Sequence, residues 1–440
     1  MAFIADKQTL DDLNILGKYK NKSLYSLFNQ VRTGGGEQLL DNMFHHPLTD
    51  EQQINERSNL FRYFQNKALQ FPLEEKEFGV MESYLNGGVA QTRTGTLMQA
   101  ARRKLLSMMG LQEEYNAFNA GFSAAVSVLK KLTVFLIQLQ QDDPENPFHK
   151  DIGKFSNIIH HPRLAWLHQF SDTTSFSLLQ VAGYDHLLRH TFHEEMKYIL
   201  GLVYQIDVCI AVADVARERN LVYAHALPRD RQLISIADCR HPGIDKAIGN
   251  NVSLNGDTNV MFLTGANMAG KSTFMKSFGI AVYMAHMGFP VAAKEMEFSV
   301  RDGIYSSINV PDDLNIGYSH FYAEVLRVKQ VAEEVSSKKN LVVIFDELFK
   351  GTNVKDAYDA TLACTEAFSV YRNCTFIIST HIIEVGAALE QNSQNILFTY
   401  MPTIMRGVVP VYTYQMQQGI TSDRHGMMII SNEKIFEILE

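Results

Sequence analysis

Residues 265–273 of this 440-residue chain read Gly-Ala-Asn-Met-Ala-Gly-Lys-Ser-Thr, a GxxxxGK[ST] pattern. Each position has a physical task. Gly265 and Gly270 let the backbone fold tightly round phosphate oxygens. Exposed N–H groups across Asn267, Met268 and Ala269 and the start of the next helix present partial positive charge to an anion. Lys271 reaches the β and γ phosphates, Ser272 offers a hydroxyl to Mg²⁺, and Thr273 closes the motif. The expected ligands are ATP and Mg²⁺.

A second constellation lies at residues 341–347, Leu-Val-Val-Ile-Phe-Asp-Glu, an apolar run ending on two carboxylates. Asp346 is placed to hold the metal shell, and Glu347 to orient or deprotonate an attacking water. Two solvated carboxylates capping a strand would look the same in isolation; a phosphate loop upstream tips the reading to chemistry. A third apolar run, 375–379, ends in Thr380-His381, where a γ-phosphate sensor belongs. Together these residues predict ATP hydrolysis.

The elements that position them follow from hydrophobic period. Runs 260–263, 341–345 and 375–379 read as parallel strands covered on both faces. Helices fall between them, at 272–287 and at 319–335. In the latter, Phe321, Val325, Val328, Val331 and Val335 form one apolar stripe. Before about residue 225 glycine and proline are scarce and apolar residues recur at helical spacing, as in Val203, Ile206, Ile210 and Val212. The expectation is an all-helical domain over 1–227 and an α/β ATPase domain over 228–440. Residues 100–220 show no long period-2 run.

Composition narrows the class. Hydrophobic residues make up 46% and charged residues 20%, values ordinary for a globular protein. The net charge of −8 shows no overall basic excess of the kind that marks a dedicated non-specific nucleic-acid binder. Cys209, Cys239, Cys364 and Cys374 have no CxxC spacing, so no zinc or redox motif is indicated. The N-terminus lacks a basic and an apolar region of signal-peptide type, and the apolar stretch 120–138 is broken by Lys130 and Lys131. A cytoplasmic location without membrane association is expected.

These motifs together resemble the MutS family of ABC-class ATPases. The phosphate loop with Asn267 and Met268 is similar to the family's, and four further matches follow the family's order. They are Arg240-His241-Pro242; Asp312-Asp313-Leu314 with Ser319-His320-Phe321; Asp346-Glu347-Leu348 with Gly351-Thr352; and Ser379-Thr380-His381. Near the N-terminus, Thr33–Leu40, His46-Pro47-Leu48 and Ile54-Asn55-Glu56-Arg57 resemble the start of the family's helical core, or lever, domain.

The resemblance implies a P-loop ATPase of ABC type preceded by a helical core, working as a homodimer with composite ATP sites. Ser319 of one subunit would touch the γ-phosphate held by the other. It also implies a role coupled to DNA, in mismatch repair or recombination; a switch acting on a protein partner is the alternative. The sequence departs from the family in several places. The wedge and connector domains of mismatch readers are not seen ahead of the core, and a β-rich clamp is not seen within it. Phe192-His193-Glu194 has the wedge's tripeptide form but lies in a helical stretch, and is read as helix surface. Ala266 stands for a proline, Ala269 for a glycine, His320 for a threonine and Lys350 for an arginine. A transporter-type LSGGQ signature is not found between residues 280 and 340.

Overall fold

The computed structural model describes residues 2–17, 23–87, 93–108, 112–142, 146–169, 177–308, 320–406, 409–421 and 438. The chain packs as two compact units. One is Asn29–Asn42 with Leu60–Asp214; the other is Met1–Phe28 with Met43–Asn59 and Val215–Glu440. Packing thus assigns two N-terminal stretches to the α/β unit, whereas a division at 227/228 follows the change in sequence character. The reason is visible in the contacts. The Asn55 side chain exchanges two hydrogen bonds with the backbone of Ala226, at 2.9 and 3.0 Å. Arg57 Nη1 donates to Met287 O at 3.1 Å, and Leu48 N donates to His286 O at 2.8 Å.

The helical unit is built from helices, among them the amphipathic Glu75–Asn86 and Glu113–Asp142 and most of His193–Glu218, which is apolar nearly all round. Among the described residues from Lys7 to Leu221 there is no strand. Two of its buried carboxylates are well paired. Asp207 accepts from Arg32 N, from Thr33 N at 2.8 Å and from Thr33 Oγ1 at 2.7 Å. Tyr84 OH donates to Asp185 at 2.6 Å, and Arg189 bridges Asp185 to the Gly87 carbonyl. Phe192 is buried, edge-on to His161 with ring centroids 5.0 Å apart, so the Phe192-His193-Glu194 tripeptide is not simply helix surface.

Glu113–Gln140 and His193–Glu218 are each long and apolar enough to cross a membrane by length and composition. Residues 120–138 are therefore less interrupted than Lys130 and Lys131 suggest. Lys131 is partly exposed and donates to Glu77 at 2.5 Å. Most of the apolar window of the second helix, and half that of the first, is buried inside the protein, as in a core helix.

The α/β unit centres on a seven-stranded sheet. Its order is Ile4–Ala5, Gly303–Ser307, Leu341–Asp346, Thr375–Ser379, Val260–Gly265, Ile396–Met401, Gln417–Gln418. All pairings are parallel except the last. Period-2 geometry sends Val260 and Phe262, Val343 and Phe345, and Phe376 and Ile378 into one core. Val328, Val331 and Val335 of helix His320–Ser336 cover that face, with Phe321 and Val325 partly buried beside them. The Lys271–His286 helix packs on the other face. The strands at 260, 341 and 375 and the two helices thus lie within two residues of their sequence expectations.

Candidate nucleotide site

Parallel strands all end at the same sheet edge, so residues that follow them converge there. Strand Val260–Gly265 delivers the glycine-rich loop, Leu341–Asp346 the two carboxylates, and Thr375–Ser379 the Thr380-His381 step. The last strand lies between the other two, in register from Asp346↔Ser379 to Ser379↔Leu263.

The loop needs its glycines. Gly265 has φ +146° and Gly270 φ +105°, a region costly for other residues. A Cβ on Gly265 would also sit 2.9 Å from the Met401 carbonyl. Met268 takes φ +68° without being glycine, and its side chain stands 79% exposed. Asn267 is exposed too. Ala269 is buried and outside the positive-φ set, which is why a methyl is tolerated there. Ser272 is half-buried and Thr273 exposed on the first helical turn.

Lys271 is buried, and its Nζ donates to the carbonyls of Gly265 at 2.9 Å and Ala266 at 3.2 Å. Burial lowers its pKa, while the charges of Glu347 and Asp346 pull it back up. The ammonium is thus held by its own loop within the field of the acidic pair.

The acidic pair is held by the neighbouring strand. Ser379, fully buried, donates from Oγ to Asp346 Oδ1 at 2.5 Å. Its carbonyl accepts from Glu347 N at 3.1 Å. Glu347 and Phe349 adopt φ of +55° and +60°, an unusual pair for non-glycine residues; such backbone strain clusters at functional sites. His381 Nε2 lies 2.5 Å from Glu347 Oε1. That hydrogen bond is the main cause lowering the Glu347 pKa; burial opposes it, and the charges of His381, Lys271 and Lys350 add to it. An ionised carboxylate only accepts, so Nε2 carries the proton in this contact.

Beside the loop is a cavity of about 310 Å³. Gly270 and Thr273 form one wall; Ile248, Met401 and Tyr414 give apolar and aromatic surface; Asn250 and His241 add polar groups. Asn250 is fixed through the Tyr414 carbonyl at 2.9 Å and Met416 N at 2.6 Å. Burial lowers the His241 pKa, and Lys276 lowers it further, so the ring stays neutral. The Arg240-His241-Pro242 step therefore contributes a wall of this cavity. Sequence reasoning missed Ile248, Asn250, Met401 and Tyr414. They come from three separate stretches, and no local spacing relates them.

Asp312, Asp313, Leu314 and Ser319 lie outside the described residues. Phe321, at the start of the following helix, packs on Phe349 with ring centroids 6.2 Å apart. Among the described residues no group of three or more His, Cys, Asp or Glu could hold a metal ion. A cation here would need oxygen ligands from the nucleotide itself, beside Ser272 and Asp346, which suits Mg²⁺.

A glycine-rich loop, a lysine, an acidic pair and a cavity of about 310 Å³ are gathered at one edge of the parallel sheet of an α/β domain. Comparison with known proteins gives the family. A family profile for MutS domain III matches residues 8–239, and one for MutS domain V matches 261–437. The chain belongs to the MutS family. The DNA mismatch repair protein MutS of Leuconostoc mesenteroides is 24% identical, with 98% of this chain and 60% of that protein covered. The same-named protein of Petrotoga mobilis is 30% identical over 46% of this chain and 25% of its own length. That of Streptococcus pyogenes is 26% identical over 54% and 28%. The chain thus spans from about a quarter to 60% of the length of these relatives.

Proposed function

We propose that this protein binds ATP with Mg²⁺ at residues 265–273 and hydrolyses it, working as a dimer whose nucleotide state is coupled to DNA. The observation that carries the reading is the convergence of Lys271, Asp346, Glu347 and His381 on one sheet edge, next to a cavity suited to an adenine ring. Phosphate oxygens would take over the Lys271 hydrogen bonds now made to Gly265 and Ala266. The amides from Asn267 to Thr273 would hold the phosphate chain. Tyr414 and Ile248 would flank the base. Mg²⁺, held by the Ser272 hydroxyl, Asp346 and phosphate oxygens, supplies charge neutralisation when bound.

Glu347 is ionised at neutral pH, because its pKa is lowered. It therefore orients the attacking water more than it removes a full proton early in the reaction. With Oε1 engaged by His381, Oε2 remains to accept from that water. His381 fixes the carboxylate and senses the γ-phosphate. In the dimer, Ser319 would complete the partner's site.

MutS membership and the MutS relatives support the DNA-coupled reading. A protein-partner switch is the second reading, favoured by the net charge of −8 and by the strand-free stretch of described residues between Lys7 and Leu221. The deciding experiment is the steady-state ATPase rate alone and with homoduplex, mismatched and four-way-junction DNA, at low and moderate salt. A structure-dependent change in rate supports coupling to DNA. A measurable rate indifferent to every DNA moves the assignment to a protein partner, and no turnover at all refutes the ATPase.

A further inference from the structure

Residues 4–13 begin outside every nucleotide motif, yet they touch three elements that shape the site. Strand Ile4–Ala5 pairs in parallel with Gly303–Ser307 and extends the sheet. Asp6 caps the helix Lys7–Asp12 by accepting from Thr9 N at 3.0 Å and Thr9 Oγ1 at 2.6 Å. The same carboxylate forms an ion pair with Arg327 of helix His320–Ser336, and Arg327 is buried. Thr9, fully buried, accepts from Ser306 N at 2.9 Å and from Arg327 Nη2 at 3.3 Å. Arg327 Nη2 also donates to Ser306 O at 2.6 Å. Asp12 accepts from Ser306 Oγ at 2.7 Å and from Ile308 N at 2.9 Å. Leu13 lies over Gly279 of the helix that follows the glycine-rich loop; a Cβ there would come within 2.8 Å of Leu13 Cδ2.

The helix gripped at its middle through Arg327 reaches, near its N-terminus, the turn that follows the acidic pair. Its first turns carry Phe321, packed on Phe349, and Glu324, which accepts from Gly351 N at 3.4 Å. A Cβ on Gly351 would meet the Phe321 backbone at 2.9 Å, so the contact is close. A continuous path of hydrogen bonds and packed rings therefore runs from Asp6 and Thr9 through Arg327 and Phe321 to the turn that begins at Glu347. The buried arginine makes this path stiff, since releasing it would leave a charge without its carboxylate in the core.

We propose that Asp6, Thr9, Asp12 and Arg327 are positioning residues of the nucleotide site: the N-terminal segment clamps helix His320–Ser336 and strand Gly303–Ser307, and through them sets the turn that carries Glu347. The inference deepens the ATPase reading and rests on it for its kinetic part. None of the four residues lies in the glycine-rich loop or lines the cavity beside it, so they act on turnover and leave affinity to the loop and the cavity.

The test compares the full chain with Thr9→Val, which is nearly isosteric but lacks the hydroxyl, with Thr9→Ser, which keeps it, and with Asp6→Asn. Three quantities are read: amide hydrogen exchange, kcat at saturating ATP, and affinity for a fluorescent ADP analogue. In Thr9→Val, exchange should speed up across 320–336 and 347–353 as well as 4–12. Turnover should fall about tenfold while analogue affinity stays within about twofold, because misplacement at a distance acts on the reacting geometry. Thr9→Ser should restore both exchange and rate. Faster exchange confined to residues 4–12, or unchanged kcat in a folded Thr9→Val chain, overturns the proposal. If Thr9→Val fails to fold, Asp6→Asn decides on the same readouts. A wild-type chain with no ATP turnover would refute the enzymatic reading, whereas the exchange pattern would still decide whether the clamp exists.

Discussion

The helical unit and the candidate nucleotide site of the α/β unit use polar groups in opposite ways. In the helical unit, Asp207 receives hydrogen bonds from Thr33 and Arg32, and Asp185 is closed off by Tyr84 and Arg189. These carboxylates have their partners and hold helices together. At the candidate nucleotide site, Lys271 is held by backbone carbonyls of its own loop, and the Glu347 carboxylate by His381 Nε2 at one of its two oxygens. Those partners are exchangeable. The comparison teaches that saturation of a buried charge separates a structural role from a chemical one better than burial does.

The contrast can be broken by substitutions that cross the two roles. Lys271→Ala removes the charge that would meet the phosphates, and nucleotide binding should vanish in a titration with a fluorescent ATP analogue. The melting temperature without nucleotide should barely move. Retained turnover would refute the assignment of the loop. Glu347→Gln should keep binding while single-turnover hydrolysis slows by about a thousandfold, the scale of lost general-base help. Sizing this variant with ATP should show an accumulated dimer; a monomer under all conditions would sink the dimer reading.

The helical unit should answer the other way. Asp207→Ala leaves Thr33 and Arg32 donors without their acceptor, and should lower stability by about 4 kcal/mol in a denaturant titration. Nucleotide affinity should stay within about twofold, because nothing at the loop changes. A large affinity loss in a folded Asp207→Ala chain would mean that Asp207 also serves the nucleotide site.

A pH titration sharpens the same line inside the α/β unit. His286 is fully buried; its Nδ1 donates to Val282 O at 2.9 Å and its Nε2 accepts from Arg301 N at 2.9 Å. Protonation would set two N–H groups against each other, and burial pushes the pKa down to about 4. Since the folded value lies below the unfolded one, the unfolded state binds the extra proton. Stability should be full above about pH 6.5 and decline by on the order of 3 kcal/mol as pH falls towards 4. His286→Gln should flatten that slope. The smallest effect is expected at the base cavity, where Tyr414→Ala should weaken nucleotide binding about fivefold, the scale of one lost aromatic contact.

How much could be read beforehand follows from where constraints sit along the chain. Strand ends concentrate chemistry into consecutive residues, so Gly265 to Thr273, Asp346-Glu347 and His381 stand out in one dimension. Helix His320–Ser336 is likewise legible from one apolar stripe of period 3.6, whereas Lys271–His286 is buried almost all round and is legible as the apolar run that follows the loop. The base cavity is not: Tyr414 and Asn250 meet across 164 residues, and a single aromatic carries no spacing. The Asp207 to Thr33 bond spans 174 residues for the same reason. The placement of Met1–Phe28 in the α/β unit was hidden because its helix is short and its anchors, Asp6, Thr9 and Asp12, are ordinary capping residues in sequence.

That placement has a consequence for synthesis. Ile4 pairs with Gly303, so the first strand must wait for 299 further residues before its neighbour leaves the ribosome. At the usual elongation rate of about 5–20 residues per second, the delay is roughly 15–60 s. During that interval Ile4–Ala5 has no strand to pair with, while every residue of the helical unit has been added by residue 214. The helical unit can therefore fold during synthesis, whereas the α/β unit gains its Ile4–Ala5 strand only once Gly303–Ser307 has been made.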